Sequence, residues 1–214
     1  MATNYRQRYS AASWAEQIRT ILIIGLGGIG NGLAQQLAAI GHKLVLQDHD
    51  SVSLENVNPQ RFMISQIGLN KCDAASDLMK LYYDTSPFYT IQTKFDEKST
   101  AYPITMSCVD NMTTRKLIFE AWRKLDNREL LLDGRMSAES YQLYIVTKET
   151  EDEYAKTLYE DSDIADAPCT YKITAFVAAN IQSEYTQALC NYLSDMPLEF
   201  KYEYVGQINL RQWT

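Results

Sequence analysis

The chain has 214 residues, of which 46% are hydrophobic and 22% charged, and its net charge at pH 7 is −7. This length suffices for one sizeable domain, and the composition is ordinary for a soluble globular protein. The negative charge argues against a general nucleic-acid binder, which needs basic patches to displace counterions from phosphates. No apolar run reaches the roughly 18 residues that span a bilayer. The N-terminus also lacks the apolar stretch of a signal peptide, so we expect a cytoplasmic protein without a membrane partner.

Apolar patterning predicts strands alternating with helices. Strands are expected at 20–24, 43–47, 90–94, 104–108, 130–133 and 141–147, with one or two more in 198–212. Helices are expected at 11–18, 29–40, 70–83, 113–125 and 171–193, the last with Phe176, Val177 and Ile181 among its inward residues. This order predicts one α/β domain over residues 1–214, Rossmann-like, with a mostly parallel sheet flanked by helices and a mixed or antiparallel C-terminal extension.

A glycine-rich loop follows the first predicted strand, with the sequence GLGGIG at residues 25–30. Gly25 permits a tight turn, Gly27 lets the backbone approach a phosphate, and Gly30 lets the next helix pack on the sheet. The helix N-terminus offers N–H groups and a partial positive charge to an anion. Asp48 ends the second strand, where an acid can accept hydrogen bonds from ribose hydroxyls. The loop alone does not separate NAD from ATP, and a packing turn without a ligand is a further alternative.

Five motifs in register resemble those of the ThiF/HesA/MoeB-type family, the ubiquitin-activating-enzyme-like adenylyltransferases. They are the GLGGIG loop with its doubled Gly27-Gly28, Asp48-His49-Asp50, Asn56-Val57-Asn58-Pro59-Gln60, Ile67-Gly68-Leu69-Asn70-Lys71, and Cys108-Val109-Asp110-Asn111 with Arg115. The motifs occur in order over residues 5–115, and weaker matches run to about residue 195.

The resemblance implies an ATP and Mg²⁺ site within a nucleotide-binding core at 21–135. It makes Asp48 the ribose ligand, Lys71 a phosphate contact and Asp110 the metal-binding catalytic aspartate. The remaining expected nucleotide contacts are Gly25, Gly27, Gly28, Gly30, Asp50, Asn56, Gln60 and Asn111.

The residues themselves suit this chemistry, because attack of a carboxylate on the α-phosphate of ATP brings two anions together and needs cations. Each also has a simpler explanation. Taken alone, Lys71 is better explained as a solvated lysine at a helix start, and Asp110 is also explained as an N-cap for the helix that follows. Asp50 is explained as a loop acid and Asn56 as a turn former.

The sequence departs from the family pattern at Pro59, where the family has an arginine before the glutamine. Proline cannot supply a guanidinium to grip phosphate oxygens. We hypothesise that Arg61 takes over this role.

The cysteines and histidines give little material for a metal site. The four cysteines, Cys72, Cys108, Cys169 and Cys190, form no CxxC pair, and the histidines are His42 and His49. We therefore expect no zinc and no disulfide framework. Cys169, ahead of the last helix, is the candidate for accepting the activated acyl group as a thioester, since a helix N-terminus lowers a thiol pKa. A small residue filling a gap is the alternative.

The segment 149–168 is predicted to be an exposed acidic loop that can include one helical turn, followed by the C-terminal helix and strands of 169–214. In the resembled family this loop crosses the C-terminal tail of a small ubiquitin-like protein that ends in glycine. Its acids would steer a basic tail, or simply be solvated. In homodimeric relatives an arginine of the N-terminal arm, here 1–20, reaches the neighbouring subunit's ATP. Arg6 or Arg8 is the candidate, with a flexible basic terminus as the alternative.

These features favour an ATP-dependent adenylyltransferase that activates the C-terminal carboxylate of a small ubiquitin-like (β-grasp) or sulfur-carrier protein, or of a peptide. A homodimer is expected. One alternative is a catalytically impaired nucleotide-binding scaffold of the same fold, which Pro59 supports. Another is an NAD-dependent oxidoreductase, against which Lys71 and Asp110 speak.

Overall fold

The computed structural model describes residues 7–82, 88–137, 140–160 and 175–205. Seven strands form its sheet: β1 (Thr20–Ile24), β2 (Lys43–Gln47), β3 (Phe88–Ile91), β4 (Ile104–Ser107), β5 (Leu130–Ser137), β6 (Ser140–Val146) and β7 (Lys201–Val205). Five helices accompany them: α1 (Gly30–Ile40), α2 (Lys71–Tyr82), α3 (Met112–Arg123), α4 (Glu151–Ala155) and α5 (Ala175–Leu193). Among the described helices, none has the length and apolarity to cross a membrane.

The strands lie in the order β3-β2-β1-β4-β5-β6-β7. The first five are parallel, and β6 and β7 continue the sheet antiparallel to their neighbours. The predicted α/β class, with a mostly parallel sheet and an antiparallel C-terminal extension, is confirmed. Chain order reverses between β1 and β4, and in open α/β sheets ligands bind at the carboxyl ends of the strands at such a point.

The sheet is covered on both faces, which explains why β1 reads as a continuous apolar run. Its residues alternate between two hydrophobic clusters. Ile21 and Ile23 pack with residues of α1, α2 and α5, while Leu22 and Ile24 pack with residues of α3 and α4. The central strands are thereby held rigidly, and so are the loops that leave their carboxyl ends.

Several local expectations differ from the structure. The strand expected at 90–94 lies at Phe88–Ile91, and the strand expected at 130–133 runs on to Ser137. The helix expected at 11–18 does not form, and the chain there makes single turns after a 3-10 turn at Gln7–Tyr9. An isolated helix of eight residues is marginal because nucleation is costly, and Trp14 and Ala15 already pack against the body of the protein from this arm. Phe176, expected to face inward, is 54% exposed, although Val177 and Ile181 beside it on α5 are buried.

Candidate nucleotide site

A cavity of about 610 Å³ lies at the carboxyl ends of β1, β2, β4 and β5. This volume is within the range of small-molecule sites. Nine of the residues singled out from the sequence line it: Gly25, Gly27, Gly28, Asp48, Asp50, Gln60, Lys71, Asp110 and Asn111. Five segments that are far apart in the sequence, at 25–28, 48–50, 60, 71 and 110–111, therefore converge on one site.

The glycines of the loop divide into two kinds. A Cβ on Gly25, whose φ is +89°, would lie 2.7 Å from the Cys108 carbonyl oxygen, and one on Gly30 would lie 1.8 Å from the Gly25 oxygen. The fold itself requires these two glycines. A Cβ on Gly27 would meet no atom closer than 4.0 Å, and one on Gly28 none closer than 3.7 Å. Packing within the protein does not explain why residues 27 and 28 are glycines. The open space beside them is consistent with a ligand that approaches the backbone there.

Asp48 connects the second strand to the glycine loop. Its side chain is buried, and it accepts hydrogen bonds from the backbone N–H groups of Leu26 at 2.6 Å and of Asp50 at 2.8 Å. A carboxylate has about four lone-pair sites, so acceptor capacity is left for the hydroxyls of a ribose. Asp48 thus both shapes the loop and faces the cavity.

Lys71 is not a solvated lysine. It opens α2 with its side chain only 8% exposed, and its ammonium lies 3.0 Å from a carboxylate oxygen of Asp50. Asp50 is half exposed. This pair holds a desolvated positive charge at the cavity wall, where an anion of the ligand gains more from it than it would in water.

Asp110 is not the cap of α3, because Asn111 performs that role. The Asn111 side chain accepts the Thr114 N–H at 2.8 Å, and its amide donates to Asp110 Oδ1 at 3.1 Å. Asp110 is exposed at the cavity wall. An exposed carboxylate that no helix cap occupies suits Mg²⁺, which binds through one or two carboxylates and keeps several waters.

The structure does not bring Asn56 or Arg61 to the cavity. Asn56 closes a turn by accepting the Ser53 N–H at 3.1 Å, as its alternative reading as a turn former suggested. Arg61 is exposed with a positive φ of 58°. Gln60 between them lines the cavity, and its carbonyl accepts from Asn31 Nδ2 at 2.7 Å.

A second group that could hold a cation sits at the end of β2. Asp48, His49 and Asp50 bring potential ligand atoms within 4.8 Å of one another. Lys71 already neutralises Asp50, and the acceptor capacity that two backbone N–H groups leave on Asp48 is the part suited to the ribose. Asp110 is therefore the better-suited ligand for a divalent cation at this cavity.

A buried charge network lies behind the cavity, and Arg115 is the one member of it that the sequence motifs include. Asp133 on β5 is fully buried, and its carboxylate accepts hydrogen bonds from Ser107 at 2.8 Å and from Arg115 and Arg135 at 2.9 Å each. Burial by itself raises the pKa of Asp133, but the two guanidinium groups outweigh it and the pKa is lowered. Arg115 also donates to the carbonyls of Val109 at 2.5 Å and Gly134 at 3.1 Å. The network fixes the strand ends that carry Asp110.

Arg135 belongs to the cavity wall as well. It donates to both the carbonyl and the hydroxyl of Thr157, at 3.0 and 2.9 Å, and its guanidinium lies 4.3 Å from the centre of the Tyr144 ring. Sequence reasoning missed it because β5 was expected to end at residue 133. Asp133, at the end of the predicted strand 130–133, was the available signal for a charged group at this edge of the sheet.

The described cysteines are poor nucleophiles. Burial raises the pKa of Cys72 to about 12, that of Cys108 to about 12 and that of Cys190 to about 11. Each is therefore a protonated thiol at neutral pH. The thioester candidate Cys169 lies outside the described residues.

The described part of the acidic segment is folded and paired. Tyr154 of α4 is buried, Glu151 accepts from Arg128 at 2.8 Å, and Asp152 accepts from Arg123 at 2.6 Å. Glu160 pairs with Lys116. Glu151 and Asp152 tie α4 to α3 and to the turn after it. The side chains of Asp152 and Glu160 nevertheless stay 81% and 73% exposed, so this part of the segment also forms a solvated acidic surface. Residues 161–168 lie outside the described ranges.

Comparison with known proteins gives a consistent result. The profile of the ThiF family matches residues 13–209. Ubiquitin-like modifier-activating enzyme 5 of Bombyx mori is 33% identical over 132 residues, a match that covers 53% of this chain and 34% of that protein. The enzyme of the same name from Aedes aegypti is 31% identical over 140 residues and is covered to 35%. The chain thus spans about a third of the length of these relatives.

Among solved structures, MccB of E. coli with ATP superposes with a TM-score of 0.68 at 16% identity. The match covers 89% of this chain and 62% of that one. MccB has also been solved with AMPCPP and MccA, at a TM-score of 0.68 and 17% identity over the same shares of the two chains. At this identity the likeness shows the fold alone.

Proposed function

Since the chain belongs to the ThiF family, we propose that it is an ATP-dependent adenylyltransferase. Its substrate would be the carboxylate of a C-terminal glycine, on a small ubiquitin-like protein or a peptide. The observation that carries this proposal is the convergence of Lys71, Asp48 and Asp110 with the two glycines, Gly27 and Gly28, that packing does not require. The names of the relatives, and the MccA and ATP bound in the MccB structures, support the choice of substrates.

The proposed reaction joins a carboxylate oxygen of the substrate to the α-phosphorus of ATP while the bond to the pyrophosphate oxygen breaks. The backbone at Gly27 and Gly28 and the N-terminus of α1 receive the phosphates, and Asp48 holds the ribose. Lys71 shares its ammonium between Asp50 and the phosphates, since it has three donors. Mg²⁺, held through Asp110, would neutralise negative charge on the phosphates.

The cavity has room for an extended tail beyond the nucleotide. It continues from the glycine loop along the β5–β6 hairpin to β7, with Ser137, Tyr141 and Glu203 on its wall. Four cationic and four acidic side chains line the whole cavity: Lys71, Lys94, Arg115, Arg135, Asp48, Asp50, Asp110 and Glu203. The positive and negative charges of these side chains balance, so they do not neutralise the negative charge of a nucleoside triphosphate and a substrate carboxylate. This excess of negative charge favours a divalent cation as a further component.

We expect Gly27→Ala and Gly30→Ala to separate binding from folding. The Gly27 methyl meets no protein atom within 4.0 Å, so it should leave the melting temperature unchanged and weaken ATP binding at least about tenfold by occupying phosphate space. The Gly30 methyl collides with the Gly25 carbonyl and should lower the melting temperature by several degrees. Calorimetric titration with ATP and thermal unfolding measure the two effects. Undiminished ATP affinity in Gly27→Ala would remove the loop from the proposed site.

A comparison of Arg61→Ala with Lys71→Met tests the origin of the phosphate-binding charge. The exposed position of Arg61 outside the cavity predicts less than about a twofold change in the KM for ATP. Loss of the buried Lys71 ammonium should raise that KM by about a hundredfold. A tenfold or larger effect of Arg61→Ala would show that Arg61 does replace the family's arginine, as its place after Pro59 first suggested.

The position of Arg61 also favours a second candidate, a nucleotide-binding scaffold of the same fold without catalysis. Titration with ATP and with NAD, followed by mass analysis of a glycine-terminated ubiquitin-like protein after incubation with Mg²⁺ and ATP, separates the readings. ATP binding with formation of an acyl-adenylate supports the enzyme. ATP binding alone supports the scaffold, and preferential NAD binding would overturn both.

The proposal includes a homodimer and an acyl transfer to Cys169. Arg8 is exposed on the N-terminal arm, in keeping with a contact to a second subunit, and Arg6 lies outside the described residues. Whether Cys169 forms a thioester is decided by Cys169→Ala, which should abolish a thiol-sensitive conjugate with the substrate protein. Persistence of that conjugate would exclude Cys169.

A further inference from the structure

A glutamine of α5 contacts the glycine loop between β1 and α1. Gln182 is 1% exposed, and its Nε2 donates to the carbonyl oxygen of Gly28 at 2.8 Å. On either side of that carbonyl, the backbone oxygens of Gly27 and Ile29 accept from N–H groups of the first turn of α1. A side chain 154 positions away thus completes the start of this helix.

Gly32 makes room for this contact. A Cβ on Gly32 would lie 2.5 Å from both Nε2 and Oε1 of Gln182. The three atoms nearest to such a Cβ all belong to Gln182, so a glycine at position 32 is what lets the glutamine amide lie here. Thr186, one turn further along α5, donates to Gln36 of α1 at 2.9 Å and keeps the two helices in register.

The planarity of the peptide bond gives the contact a consequence for the cavity. The Gly28 carbonyl and the Ile29 N–H belong to one trans peptide unit, so they point in opposite directions. Anchoring the carbonyl on Gln182 fixes the N–H on the side away from α5. Gly28 and Ile29 both line the cavity, and Ile29 is the N-cap residue of α1, where N–H groups have no partner within the helix.

We propose that Gln182 is a positioning residue that orients the Gly28–Ile29 peptide toward the phosphates of the bound nucleotide. This inference rests on the proposed function only in taking the ligand to be ATP. Removing the donor takes this partner away from the Gly28 carbonyl and leaves the peptide without the contact that fixes its orientation. The net value of one such hydrogen bond predicts a roughly three- to tenfold loss of ATP affinity.

Gln182→Met tests the proposal, because methionine has similar length and cannot donate. ATP and adenosine are titrated into the wild-type protein and the variant without any protein substrate, and both melting temperatures are measured. The proposal predicts weaker ATP binding and unchanged adenosine binding, since only the phosphates meet the oriented N–H. Equal ATP affinity in the two proteins, whatever the melting temperatures, would overturn it. A wild-type protein that does not bind ATP would instead overturn the proposed function.

Two further variants keep the test decisive if Gln182→Met unfolds. Gly32→Ala displaces the glutamine amide by steric contact and should reproduce the loss of ATP affinity. Gln182→Glu restores the donor only while its carboxyl group is protonated. Its ATP affinity relative to the wild type should therefore fall as the pH rises through the pKa of that carboxyl group. A pH-independent ratio, or full ATP affinity in Gly32→Ala, would show that the contact only packs α5 against α1.

Discussion

Asp110→Asn should lower the rate of adenylation by at least about a hundredfold while leaving the fold intact. The reason for the kinetic effect is the loss of the carboxylate that we propose to hold Mg²⁺ on the phosphates, and single groups that stabilise transition-state charge contribute on this scale. The fold is spared because Asn111, and not Asp110, caps α3. Initial rates of acyl-adenylate formation and thermal unfolding measure the two effects.

Asp126→Asn is the control for Asp110→Asn. Asp126 is an exposed acid on the turn after α3 and does not line the cavity. Its neutralisation should change the adenylation rate less than about threefold. If Asp110→Asn retained half of the wild-type rate, or if both variants lost activity equally, the assigned role of Asp110 would be wrong.

Asp133→Asn should destabilise the protein by about 3–5 kcal/mol, the usual cost of removing one partner from a buried ion pair. Arg115 and Arg135 are largely buried, at 5% and 10% exposure of their side chains, and would lose their shared counter-charge. Chemical denaturation measures the change. Asp126→Asn, at an exposed site on the turn after α3, should change the stability by less than about 0.5 kcal/mol. A loss below about 1 kcal/mol for Asp133→Asn would contradict the network.

The same carboxylate makes stability depend on pH in a defined direction. Because the pKa of Asp133 is lowered in the folded state, its contribution is present above the pKa of the unfolded state, about 3.9. It is lost as the pH falls through the folded-state pKa. The decrease in unfolding free energy on acidification below about pH 4 should therefore be smaller in Asp133→Asn than in the wild type.

The parts of the fold that follow from local rules were predictable from the sequence. Local sequence patterns predict the apolar strand β1, the glycine loop and the helical spacing of apolar residues in α1. The carboxyl ends of parallel strands at a switch point then place Asp48 and Asp110 at one edge of the sheet. The acidic composition of residues 149–160 was also apparent from the sequence. Its pairing was not, because basic side chains from 116–128 neutralise it and no spacing rule links the two segments.

The contacts that complete the site depend on tertiary packing between distant segments. Gly134 and Arg135 interrupt the apolar pattern of β5, so the strand was expected to stop before them. Gly134 is needed because a Cβ there would lie 2.5 Å from the hydroxyl of Tyr185 on α5. Gln182 reaches Gly28 from the same helix. Helical periodicity predicts which face of α5 is apolar, but it does not identify which polar residue on that face meets the loop.

The measurement that tests the account most directly is ATP–pyrophosphate exchange with Mg²⁺, with and without a glycine-terminated ubiquitin-like protein. Reversible formation of an acyl-adenylate returns labelled pyrophosphate to ATP, which binding alone cannot do. We expect exchange that requires the protein substrate and is lost in Asp110→Asn. Absence of exchange with every glycine-terminated partner, in a protein that binds NAD and ignores ATP, would contradict the account.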